Sequence, residues 1–217
     1  FYNMSQCVIG NYFYQNVSAG NFSENVTKGI CYGNPFLFNI DRNLIGSAFS
    51  MNTIYSLSQN NIGATFINNV IQDMSSNQIK NEFSDNNIIS FVDNEIGPFF
   101  KRNSITLMQQ NYVIGNFTDN ILDTFVRNNV NHSSFVGNNL SSLTFANKFN
   151  YEFLSNTSSD ILQNNVFEYV ELCEFNLFSD NVVNGGLNIS IFNDIQGNIL
   201  NGMLDCNLTN LSDNVIN

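Results

Sequence analysis

Tryptophan is absent from this 217-residue sequence, proline occurs twice and histidine once, and lysine and arginine together number seven. The shortage of cations is the first exclusion. No basic stripe exists to neutralise phosphates, so no nucleic acid partner is expected. No apolar run approaches the roughly 20 residues that a membrane-spanning helix needs, so no membrane span is expected. The single histidine, His132, sits in the turn-like run Asn131-His132-Ser133-Ser134 and has no clustered ligand or acid–base partner. Four cysteines, Cys7, Cys31, Cys173 and Cys206, contain no Cys-x-x-Cys pair, which argues against zinc and for inert thiols. Charged residues make up only 12% of the chain, against roughly a quarter in ordinary globular proteins, and they leave a net charge of −11. No cofactor is expected.

Asparagine carries the polarity instead, at about a fifth of the chain, and phenylalanine is frequent at 21. Asn-rich tracts can be disordered, but the spacing here is too strict for that. The stretch from Phe83 to Ile105 repeats Phe-x-x-Asn-x-Ile three times. Taking Phe as the first slot, the series runs Phe49, Leu57, Phe66, Met74, Phe83, Phe91, Phe100, Met108, Phe117 and Phe125. The asparagine slot runs Asn52, Asn60, Asn69, Asn77, Asn86, Asn94, Asn103, Asn111, Asn120 and Asn128. The aliphatic slot runs Ile54, Ile62, Ile71, Ile79, Ile88, Ile96, Ile105, Val113, Leu122 and Val130. Gaps of eight and nine alternate, so the true repeat is a seventeen-residue pair with two non-equivalent sides. Beyond 40–140 the pattern loosens. Asn147, Asn156, Asn164, Asn181, Asn198, Asn207 and Asn214 continue the asparagine slot, Cys7 and Cys173 fall in it, and Cys206 takes the outward place before Asn207. The stretch 165–176 is the poorest match.

This period is too short for helical or leucine-rich repeats. It predicts one all-β domain over 1–217, a two-sided parallel β-solenoid (β-roll) of about 17 residues per coil. Asn and Ile, two apart, share the inner face with Phe, and the residue between them points outward. Thr53, Asn61, Gln78, Asn87, Glu95, Ser104 and Asn129 take that outward place. An inward amide can serve backbone groups freed at each bend, where leaving one unpaired costs about 1–3 kcal/mol. Stacked on its counterpart in the next coil, it also builds an Asn ladder.

These Asn-x-Ile/Val columns resemble the β-rolls of grass antifreeze proteins, built on repeated Asn-x-Val-x-Gly. They are also similar to Asn-Thr-Ile-Gly/Phe repeats of bacterial surface and phage fibre proteins. The resemblance implies a β-roll in an extracellular or fibre setting, without catalytic inheritance. This sequence departs from the pattern by adding Phe and dropping the regular Gly.

An enzyme is not expected. Asp85, Arg102 and Asp119 share one slot in successive coils, about 4.8 Å apart, and read as an exterior ion ladder. No clustered acid–base pair or calcium-type carboxylate set accompanies them. An ice-binding face is not expected either, because the outward slots are mixed. Among the Asn-x-Ser/Thr signals, Asn21, Asn116, Asn131 and Asn139 fall at turn or outward positions and can carry sugar. Asn16, Asn25, Asn156 and Asn207 fall in ladder slots, where a glycan has no room. Both ends of the sequence are in phase with the repeat and show no cap, which reads as a fragment or as a subunit that stacks end to end. The expected function is structural: an extracellular or surface-located fibre, filament or surface layer formed by head-to-tail self-association. The alternative is a phage tail-fibre or adhesin segment that binds glycans.

Overall fold

The computed structural model describes residues 4–9, 12–14, 22–27, 30–46, 48–63, 65–130, 135–163, 165–188 and 190–217. Every strand pairing among them is parallel, and no helix occurs, so none is long and apolar enough to cross a membrane. The chain is an all-β parallel β-solenoid with coils of about seventeen residues. It divides into two compact units, Phe1–Leu107 and Met108–Asn217.

One coil of the first unit illustrates how the repeat folds. Thr53–Ser58 forms a six-residue strand, a corner follows, and two short strands, Asn61–Ile62 and Phe66–Ile67, make the opposite side. Val70–Ser75 then lies beside Thr53–Ser58 one coil further on, with Ile54 opposite Ile71 and Leu57 opposite Met74. The two sides are therefore unlike: one is a single long strand, the other a pair of short strands with a bend between them. Thr53, Ile54 and Tyr55 alternate out, in and out, and the alternation then breaks at half-buried Ser56, so that Leu57, three after Ile54, also points inside.

The corners that lead into the ladders use one backbone device. Among the described residues, the one before each ladder position has a positive φ, as in Gln59 at 55°, Ser76 at 56°, Asp85 at 57° and Arg127 at 55°. Its N–H reaches forward to the next coil, as Ser76 does to the Val92 carbonyl at 3.1 Å. The ladder asparagine then takes up the groups that the corner frees. Asn77 donates its backbone N–H to Asn94 Oδ1 at 2.9 Å. Its Nδ2 serves Asn94 Oδ1, the Ser75 carbonyl and the Leu57 carbonyl. Such groups left unpaired in a dry interior would each cost about 1–3 kcal/mol.

Phenylalanine fills the core between the ladders. Phe49, Phe66, Phe83 and Phe100 stack nearly parallel at 4.9 to 5.0 Å. In the second unit Phe117, Phe135 and Phe153 stack at 4.8 and 4.9 Å. A second pile there, Phe149 on Phe167, uses the aliphatic slot. Coil length varies in this unit, yet the ladder keeps its partners. Asn111, Asn128, Asn147, Asn165, Asn181, Asn198 and Asn214 follow one another at separations from 16 to 19 residues. Extra residues are absorbed in bulges between Phe149 and Glu152 and between Ser158 and Ile161. The stretch 165–176 keeps Asn165, Phe167, Val170, Cys173 and Phe175 buried.

Two sequence assignments need correction. The ladder takes Asn165, which accepts from the Asn147 N–H, in place of Asn164, which lies outside the described residues. Near the end of the chain, Asn207 is an exposed outward residue opposite Ile191, so Cys206 takes the ladder slot. The sixteen-residue spacing of the late coils, seen between Asn198 and Asn214, moves the slot one residue earlier than a count of seventeen gives.

Candidate functional site

The residue set that organises this molecule is the pair of ladders. In the first unit Asn52, Asn69, Asn86 and Asn103 form one file, and Asn43, Asn60, Asn77 and Asn94 form the other. In the second unit Asn111 and Asn128 open one file, and Asn120 opens the other with Asn138 and Asn156. All are buried, so they offer nothing to a ligand in the folded coil. The second file continues through Cys173, whose Sγ accepts from the Asn156 N–H at 3.5 Å, and Ser190, whose Oγ accepts from the Cys173 N–H at 3.2 Å. Burial pushes the Cys173 thiol up to about 12, so it persists as the neutral, unreactive thiol. Cys7, Cys173 and Cys206 are all unbridged.

Outward side chains supply the accessible chemistry. Arg102 holds Asp85 through two contacts, Nε to Oδ1 at 2.7 Å and Nη2 to Oδ2 at 2.8 Å. Those hydrogen bonds hold the Asp85 carboxyl below the usual carboxylate range, although burial opposes them. Lys101 does the same to Glu82 across 2.8 Å. These pairs stand at the surface, where each stabilises by at most about 1 kcal/mol. Among the described residues no three His, Cys, Asp or Glu side chains come together as a metal site.

Two of the four candidate glycosylation residues are described. Asn116, on the strand Asn116–Thr118, and Asn139, on Asn139–Leu140, are both exposed. Asn21 and Asn131 lie outside the described residues, as do Asn16 and His132. Asn156 and Asn25 are buried in the ladder. Asn207, read from sequence as a ladder residue, is exposed and so is an accessible signal too, as is Asn210.

Each unit also has a shallow concavity on the outer face of its long-strand sheet. That of the first unit, about 330 Å³, lies over Thr53, Tyr55, Val70, Gln72, Asn87 and Ile89 and carries no charge. That of the second, about 550 Å³, is polar, lined by Asn139, Thr157, Glu174, Asn176 and Asn193 around Ile191. Sequence reasoning missed both. The signal available was the outward column itself, in which Val70 and Ile191 are apolar where the slot is otherwise mostly polar.

Compared with protein-family models, with curated proteins and with solved structures, the chain finds no match.

Proposed function

We propose that this chain is a structural repeat protein, not an enzyme, of an extracellular fibre or surface layer, and that its coils stack end to end on further copies of itself. The observation that carries this reading is the pair of buried ladders, in which each coil is bonded to the next through the same asparagine contacts, so that a further coil in phase can be added by the same bonds. Leu211 and Ile216 are 49% and 45% exposed, whereas Ile195 and Leu200, their counterparts one rung earlier, are 1% and 0% exposed. Asn214 accepts from Asn198 and turns its Nδ2 back to the Ile195 and Ser212 carbonyls. Its own N–H meets no acceptor among the described residues. An in-phase rung laid on 207–217 would cover Leu211 and Ile216 and accept from this N–H, the same contacts that join the earlier coils. The likeness to β-rolls and fibre repeats supports the same setting, as do the exposed signals at Asn116 and Asn139.

Electron microscopy and sedimentation of the 217-residue chain across a concentration series test this reading. Filaments or rods that lengthen with concentration are expected, and Leu211→Lys with Ile216→Lys is expected to shorten them. Monodisperse monomers at high concentration overturn it. In a eukaryotic secreted preparation, glycopeptide mass spectrometry is expected to find sugar at Asn116 or Asn139 and none at Asn156.

A second reading, a fibre or adhesin segment that binds glycans, is favoured by the polar concavity of the second unit. Its amides, carboxylate and hydroxyl suit sugar hydroxyls, and Asn193 Nδ2 already meets Asn176 Oδ1 at 3.1 Å. Binding on a glycan array that is lost in Asn176→Ala would support it. The exposed aromatics do not add to it. Tyr55, Phe99 and Tyr112 lie on three different strands, Thr53–Ser58, Phe99–Lys101 and Tyr112–Val113, and build no aromatic column among the described residues.

A further inference from the structure

Of all the asparagines in the chain, two precede a glycine: Asn184–Gly185 and Asn201–Gly202. They occupy the same corner on successive rungs, because Val183 pairs with Leu200 before it and Leu187 pairs with Met203 after it. An Asn-Gly step can react with itself. The glycine nitrogen, unshielded by any Cβ, attacks the asparagine Cγ, a C–N bond forms and ammonia leaves. The resulting succinimide is opened by water to aspartate or isoaspartate, so atoms balance with water as the only co-reactant. The nitrogen must be free to give up its hydrogen, and the corner must have room to close the five-membered ring.

The two steps differ in both respects. The Gly185 N–H is held by the Glu168 carbonyl at 2.5 Å, and that carbonyl leaves no room even for a Cβ at Gly185. Asn184 is itself held, its Nδ2 on Glu168 Oε2 at 3.4 Å. The Gly202 N–H has no acceptor among the described residues, and a Cβ at Gly202 would meet nothing within 4 Å. Gly202 has a φ of +141°, a conformation that only glycine adopts readily. Asn201 is exposed, and its Oδ1 accepts from Asn217 Nδ2 at 2.9 Å, which makes Cγ more electrophilic.

We infer that Asn201 is a site of spontaneous deamidation in the folded protein, while Asn184 and the ladder asparagines are protected by the fold. The product carries one more negative charge, and in the isoaspartate form its backbone runs through Cβ at that corner.

The test is to hold the folded 217-residue chain at mildly alkaline pH and map its peptides for a gain of one mass unit. Isoaspartyl methyltransferase labelling is read in parallel, and the same chain in denaturant is the reference. In the folded chain modification is expected at Asn201 ahead of Asn184 by on the order of tenfold, the worth of one held hydrogen bond. In denaturant the two sites are expected to converge. The inference is overturned if Asn184 keeps pace in the folded chain. It is also overturned if Asn201 stays intact where the denatured chain reacts, or if ladder Asn198 reacts as fast.

Discussion

At Thr144 a hydroxyl stands in a core column between Phe125 and Leu162. The residue is 1% exposed and its Oγ1 has no hydrogen-bond partner. An orphan hydroxyl of this kind costs about 1–3 kcal/mol, and valine has nearly the same shape without it. Thr144→Val is therefore expected to raise the free energy of unfolding by that amount, read as a higher urea midpoint, and an unchanged midpoint would mean the hydroxyl is solvated. Leu172 pays a different residue-scale cost. It holds the left-handed corner conformation at φ 52° while its side chain is 54% exposed. That conformation costs an ordinary L-residue roughly 1–2 kcal/mol, and asparagine tolerates it better. Leu172→Asn is expected to stabilise by about 1 kcal/mol, and Leu172→Val to destabilise, in paired thermal melts.

At the scale of the coil, the decisive contrast is between two adjacent asparagines. Asn86 sits in the ladder: its Oδ1 takes the Asn69 N–H at 2.9 Å, and its Nδ2 serves the Phe66 and Ser84 carbonyls. Asn87 is outward and exposed. Asn86→Leu is expected to cost at least about 1–3 kcal/mol, since it strands partners on both neighbouring coils, whereas Asn87→Leu costs little. Melts that rank the two the other way would overturn the assignment of inward and outward faces. The same logic explains what the sequence made legible. Between Asn43 and Asn128 the coils keep a length of 17, so Phe, Asn and Ile stay in phase and both ladders and the Phe piles can be counted out. Past that region the fixed quantity is the stacking of amide on amide, while the number of residues between amides drifts from 16 to 19. Counting by seventeen therefore slipped at Asn164 and at Asn207, where a neighbouring residue fits the slot after a bulge or a shortened corner. The outer concavities were less legible still, because they depend on which outward side chains adjoin across three rungs.

For the whole molecule, charge opposes the end-to-end stacking proposed above. Each copy carries −11, so like copies repel at long range, while the ladder and core contacts that join one coil to the next are uncharged. Salt screens the first and leaves the second nearly untouched. Assembly followed by light scattering is therefore expected to strengthen from low to physiological ionic strength. Dissolution by salt would instead point to ion pairs at the contact. Stability within each unit is expected to be close to a sum of rungs and their interfaces, so lesions such as Asn86→Leu act locally.

The corner amides also carry an arrow. Asn60 gives both its N–H and its Nδ2 to Asn77, and Asn181 gives both to Asn198; in each case the gift runs toward the later coil. The same Nδ2 groups also reach back, to the Ile40 and Leu162 carbonyls of the earlier coil, and backbone N–H groups run both ways, as Ser76 to Val92 and Gln78 to Asn60. Each coil is thus tied to both neighbours by one residue, and direction survives only in the Oδ1 atoms, which accept from the earlier coil alone. A coil laid on the stack in the same sense meets the acceptors it needs, whereas one laid on in reverse would not find them in register.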